Sequence, residues 1–379
     1  FSELIRSLHV ERYVLAAELL SEAVEPLAEK LSLPVEEGAG FDAYQMFLER
    51  PHQVLTVICR QLEGLLTRET WRLLSAVAST VSLFYLGNPE MIFYAADDDH
   101  GGAMLCGTVS ELAAQLKATL WRQDQPIILT SGTLMAGGSF ERTKKVMGLS
   151  ENNQLEDFIA VSPFNYEENC ILYIPNDLPK TQMGSEKETK CLAEQICRLV
   201  EATHGHTLVL FTSYSLMGAV YNQVKDRLSF PLMEVWRHSQ DVIHQFKQAS
   251  NAVLFAAGSC WEGVDFPGDM VSSLIIVRLP FPVPDPLSEA EREQYPTLQD
   301  YIRAVIIPDM QVKLRQGFGR AIRIETDTCV VSILDHRAAP GQRYHQAVLE
   351  TLPPLHMTRK IEDVEDFIRT KKSPDYFMP

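Results

Sequence analysis

Residues 311–337 read QVKLRQGFGRAIRIETDTCVVSILDHR. The first part holds Gln316, Gly319, Arg320 and Arg323 in the pattern Q-x-x-G-R-x-x-R. On a helix, offsets of three and four place all four residues on one face. A glycine between polar side chains lets another surface approach closely. Two guanidiniums a turn apart suit a triphosphate, because each is a planar fork of donors that keeps its charge. The apolar run 329–334 then reads as a buried strand ending at Asp335-His336-Arg337. Taken alone, the pattern also describes a surface helix with two solvated arginines. The rest of the chain decides between the two.

Upstream, short apolar runs and amphipathic stretches alternate. Strands are predicted over 170–174, 207–212, 233–236, 252–256 and 273–279, and helices over 186–203, 215–228 and 240–248. Such alternation predicts an α/β fold, a parallel sheet with helices on both faces. After the run 252–256 comes the loop GSCWEGVDFPGD, residues 258–269, which packs Gly258, Trp261, Glu262, Gly263, Asp265 and Gly268 into twelve positions. Its glycines permit close approach of backbone to a ligand, and Asp265 can accept from a ribose or an arginine. Trp261 admits two roles, stacking on a base or covering the core. Four prolines in LPFPVPDPL (279–287) stiffen the chain, and Pro308 is expected to start or kink the helix that carries the arginines.

Residues 1–86 show helical periodicity and nothing that carries chemistry. The runs 91–94 and 103–106 read as a hairpin. At its tip, Asp97, Asp98, Asp99 and His100 fit a solvated turn better than a metal site. Ser110 is expected to cap a helix reaching Trp121. In QPIILTSGTLMAGGSF (125–140), Pro126 opens a predicted strand over 127–129 that ends in TSGTL, residues 130–134. Small hydroxyls and glycine at a strand's carboxyl end form a common binding position in open parallel sheets. Residues 151–166 read as a connector.

The 46% apolar content suits a globular chain of 379 residues, long enough for two or three domains. The formal charge of −16 argues against coating nucleic acid through a basic surface, while leaving room for a narrow basic groove. The seven cysteines form no C-x-x-C pair, which predicts neither a zinc site nor a disulfide framework and favours a reducing cytoplasm. No apolar run has membrane-spanning length and no signal peptide is visible, so no membrane partner is expected.

TSGTL after a strand, LVLFTSY at a strand end, GSCWEGVDFPGD after a strand and Q-x-x-G-R-x-x-R stand in one order. That order and wording resemble superfamily 2 helicases of the XPD/DinG type, nearest the bacterial DinG-like branch, over roughly 91–337. The resemblance implies two RecA-like domains that clamp ATP and walk 5′ to 3′ along single-stranded DNA. It would make 1–90 a helical remnant of an insertion in the first motor domain, 91–165 the end of that domain, and 166–379 the second. Arg323 would be the arginine finger, Arg320 a second phosphate contact, and Gln316 would face the phosphate or the attacking water. Gly319, Glu262, Gly263 and Asp265 would lie at the nucleotide. Thr212, Ser213, Tyr214, Trp261, Ser131 and Thr133 would lie at the DNA.

ATP and Mg2+ are implied for the complete protein. The chain departs from the family in having no G-x-x-x-x-G-K-[ST] phosphate loop and no D-E-A-H-type box. The family places both before the position where this sequence begins, as it does the four cysteines that hold an iron–sulfur cluster in many relatives. No such cluster is therefore expected in this chain. With Phe1 as its first residue, the chain is expected to be a portion of a longer protein and not to hydrolyse ATP alone. The competing reading is a stand-alone nucleic-acid-binding or regulatory module that kept the half-motor fold without catalysis. Retention of both arginines favours the helicase. A metal-dependent hydrolase built on Asp97–Asp99 and His100 has no second ligand cluster to support it.

Overall fold

A computed structural model describes residues 1–36, 40–98, 101–122, 125–151, 154–178, 180, 184–236, 240–266 and 268–378. The chain divides into two units, 1–122 with 284–294, and 123–283 with 295–379.

In the first unit, helices Ser2–Val10, Val14–Leu31, Glu49–Gln61 and Arg68–Leu86 bury one stripe each. Leu4 and Leu8, Leu20 and Leu27, Leu55 and Ile58, and Leu74 and Val81 meet in one apolar core. These spacings of three, four and seven are those of a single helix face. Strands β1 (Met91–Asp97) and β2 (Ala103–Val109) form an antiparallel hairpin, each three residues longer than the alternation suggested. At its tip Asp97 accepts from the Val35 N–H at 2.8 Å and Asp98 from the Gly102 N–H at 2.7 Å. Asp98 thus serves the turn and Asp97 ties the hairpin to the segment after helix Val14–Leu31; Asp99 and His100 lie outside the described residues. Ser110 does not cap the next helix, Leu112–Thr119, because its hydroxyl donates to the Glu90 carbonyl at 2.9 Å and closes the hairpin.

In the second unit the apolar runs pair side by side. β3 (Cys170–Tyr173), β4 (Thr207–Phe211), β5 (Leu232–Val235), β6 (Val253–Ala257), β7 (Ser273–Ile276), β8 (Cys329–Ile333) and β9 (His356–Thr358) form one wholly parallel, RecA-like sheet in the order β5-β6-β4-β7-β8-β3-β9. Alternate residues of each strand face opposite layers. Leu208, Leu210, Leu254, Ile276, Val331 and Ile333 pack with Met310 and Leu314 of helix Ile307–Phe318. Val209, Phe211, Phe255, Ile275 and Val330 pack with helices Glu186–Ala202, Tyr214–Val224 and Ile361–Lys371 on the other face. A sheet buried on both sides explains why its strands read as continuous apolar runs.

The strand expected at 127–129 does not form. The segment joins no ladder among the described residues, and Ile128 is 88% exposed. Apolar, β-branched composition marks a strand, but only neighbouring backbone makes one. No helix among the described residues is long and apolar enough to cross a membrane.

Candidate functional site

After β4 the chain builds β5 and β6 on one side, then turns to the other side with β7 and β8. Such a reversal opens a crevice at the carboxyl ends of the strands. Two segments leave the sheet at that edge. Thr212 and Ser213 follow β4 and are exposed. The Ser213 hydroxyl accepts from the Leu216 N–H at 3.3 Å, capping helix Tyr214–Val224, and keeps its own proton to donate.

The second segment follows β6. Gly258 turns with φ +62°, and a short 3-10 turn, Gly258–Trp261, carries the tryptophan inward. Trp261 is 1% exposed and its Nε1–H donates to the Phe211 carbonyl at 2.8 Å. This corrects the base-stacking role: Trp261 covers the core. A Cβ at Gly317 would sit 2.7 Å from its Cζ3, so this glycine lets helix Ile307–Phe318 pass directly over the indole. Beyond the tryptophan, Glu262, Gly263 and Asp265 are exposed.

The arginine motif is not one helical face. The helix ends at Phe318 with Gly319 as its cap, and Arg320 and Arg323 lie in the turn beyond, with only Gln316 on the last helical turn. The turn forms because Ala321 and Ile322 are drawn into the core. It closes because buried Asp327 accepts from the Arg323 N–H at 2.8 Å and the Ile324 N–H at 3.0 Å. Both side chains reach the loop after β6. Arg320 Nη1 donates to the Val264 carbonyl, and Arg323 Nη2 donates to the same oxygen at 3.1 Å.

Arg323 Nε also lies 2.9 Å from Asp265 Oδ1, an ion pair by distance without the alignment of a hydrogen bond. The Nε atoms of both arginines are buried without a hydrogen-bond partner. Burial, and then the like charge of Arg323, disfavours the charged form of the Arg320 guanidinium; Asp265 and Glu262 oppose the shift. Two cations converging on one carbonyl are the arrangement an anion would relieve.

Ser131 and Thr133 fold onto each other, with hydroxyls 3.1 Å apart, and no hydrogen bond among the described residues joins them to the arginines. The segment that follows is fastened to the amino-terminal half of the arginine helix. Arg142 pairs with Asp309 through contacts of 2.9 and 3.0 Å, and Gly137 rests against the Gln311 side chain. Sequence reasoning missed the Val264 carbonyl, Asp327 and the Arg142–Asp309 pair. A carbonyl carries no side-chain signal, and the two carboxylates resemble solvated ones until their partners are seen. Among the described residues no set of three His, Cys, Asp or Glu side chains converges on one point.

The parallel sheet with helices on both faces defines a RecA-like domain. Residues 196–355 match the family described as Helicase C-terminal domain. The chain is 36% identical over 265 residues to the ATP-dependent DNA helicase YoaA of Haemophilus influenzae, covering 69% of this chain and 40% of that protein. It is 31% identical over 284 residues to the ATP-dependent helicase DinG of Mycobacterium tuberculosis, covering 74% and 42%. A solved structure described as XPD_APO shares the fold with a TM-score of 0.56 at 21% identity, covering 90% of this chain and 69% of that one. The chain thus carries the carboxyl-terminal portion of an XPD/DinG-type superfamily 2 helicase, and it spans less than half the length of the curated relatives it matches.

Proposed function

We propose that this chain supplies the second motor half of an ATP-dependent helicase that moves 5′ to 3′ along single-stranded DNA. In this reading residues 91–165 end the first motor domain, residues 166–379 form the second, and 1–90 belong to the insertion. The observation that carries it is the convergence of Arg320 and Arg323 on the Val264 carbonyl, with neither Nε atom in a hydrogen bond and Arg323 Nε in an ion pair with Asp265. A phosphoryl group bound there gains two planar forks of donors already in place. Phosphoryl transfer needs such positioning and charge neutralisation more than covalent help.

Arg323 acts as the finger on the transferring phosphate, Arg320 holds the adjoining phosphate, and Gln316 faces the water. Glu262, Gly263, Asp265 and Gly319 border the nucleotide, while Thr212, Ser213, Tyr214, Ser131 and Thr133 meet the DNA. ATP is the substrate of the complete protein and Mg2+ its metal. The 379 residues hold no G-x-x-x-x-G-K-[ST] loop and are expected not to turn over ATP by themselves.

The test is Arg323→Ala in the full-length gene product. DNA-stimulated ATP turnover should fall about a thousandfold or more while DNA binding is largely kept. Equal loss of both would make the arginine structural and sink the assignment. DNA affinity should also fall steeply with salt as phosphate contacts release counterions.

A further inference from the structure

The ring planes of Tyr214 and Trp236 lie 16° apart with centroids 5.6 Å apart, a stacked pair at the carboxyl edge of the sheet. Trp236 directly follows β5, and Tyr214 opens the helix that follows β4. The lower ring is firmly seated. A Cβ at Gly258 would sit 2.7 Å from the Tyr214 hydroxyl, so the loop after β6 passes directly against that ring. A Cβ at Gly218, one helical turn beyond Tyr214, would lie 3.6 Å from Cη2 and 3.7 Å from Cζ2 of Trp236, so the indole edge sits beside that turn. Although it stacks on Tyr214, Trp236 remains 44% exposed.

We propose that this pair is a stacking platform for a nucleobase. The inference rests on the motor-half reading and adds to it a residue, Trp236, that none of the motifs contains. Three features support it together. The open indole stands on the same edge as the arginine cluster, joined to it through Tyr214 and the loop 258–266. Exposed Thr212 and Ser213 adjoin Tyr214 in sequence, so hydroxyl donors for a phosphate lie beside a ring for a base. A stack on an aromatic face accepts any base, as a strand-tracking motor requires. Covering Tyr214 would by itself be served by an aliphatic side chain; a broad ring that stays 44% exposed suits a second flat partner. The base belongs either to a DNA strand or to the adenine nucleotide, and the two sources are separable.

The test titrates the chain with a short oligothymidylate, with an abasic strand of equal length, and with ADP, following anisotropy and tryptophan fluorescence. Trp236→Ala should weaken oligothymidylate about tenfold and leave the abasic strand unchanged, and Trp236→Phe should keep most of the affinity. Loss confined to ADP would keep the platform and assign the base to the nucleotide. Unchanged binding of both by Trp236→Ala, in a protein with an unaltered melting profile, overturns the platform and leaves the motor-half reading intact. Full-length protein that binds neither strand nor nucleotide would bring down both.

Discussion

Arg323 Nε stands 2.9 Å from Asp265 Oδ1 while the same guanidinium donates to the Val264 carbonyl. The catalytic candidate is thus held by the loop after β6, on a carboxylate that a phosphate would displace in the proposed reading. The side chains are 29% and 66% exposed, so the pair adds little to stability, about 1 kcal/mol or less. Its consequence is electrostatic. Asp265→Asn should leave the melting temperature nearly unchanged and tighten binding of pyrophosphate several-fold, because two arginines would then face the anion uncompensated. Calorimetric titration of the chain checks this. Weaker binding in the variant would mean that Asp265 helps the anion site instead of competing with it.

Asp327 shapes the turn that aims Arg323. Its carboxylate takes the Arg323 and Ile324 N–H groups, and Asp327→Ala leaves both without that acceptor. A cost of about 1–3 kcal/mol is expected, visible as a lower urea midpoint. Asp327→Asn, which keeps an acceptor oxygen, should recover most of it. If alanine and asparagine behave alike, the turn is held by Ala321 and Ile322 instead.

Trp261 and Gly317 form a close pair whose role is packing. Trp261→Ala should destabilise the second unit by about 3–5 kcal/mol through the cavity it leaves. Gly317→Ala should cost about 1–3 kcal/mol, because the new methyl would meet the indole at 2.7 Å. Thermal melts read both. A Trp261→Ala variant that melts like wild type would return the indole to the list of DNA contacts.

Asp335 gives the chain an acid-side pH dependence. Burial alone would raise its carboxyl. The hydrogen bonds and charge of Arg337, with the N–H groups of Leu279 and Arg337, outweigh that and hold it below the ordinary range. A depressed folded-state value means the carboxylate stabilises the fold fully above its unfolded value of about 4. That contribution is lost as pH falls through the lower folded value. Asp335→Asn should therefore be less stable than wild type at neutral pH, with the gap closing below about pH 4. A gap that persists unchanged into acid would show that the pairing with Arg337 contributes nothing.

The periodicities were enough for six strands of the sheet; the edge strand β9, three residues long and not an apolar run, was not predicted. Runs such as LVLF at 208–211 and CVVSI at 329–333 are apolar on both faces because helices cover both sides, so composition and burial agree. The arginine motif was legible as a pair with a common purpose, since guanidinium chemistry belongs to the residue type. Its geometry was not legible. Helical spacing put Arg320 and Arg323 on one face, yet the fold ends the helix before them and joins them through a backbone oxygen 56 positions from Arg320.

Trp261 shows the same limit, because whether an indole faces a base or a core depends on what passes over it, here Gly317. The run 127–129 shows its converse: strand composition without a neighbouring ladder stays single. What the sequence by itself determined was each residue's chemistry and each segment's period. Which atoms meet was decided only by tertiary structure, because a hydrogen bond or a stack depends on distances of a few ångströms between residues far apart in the chain.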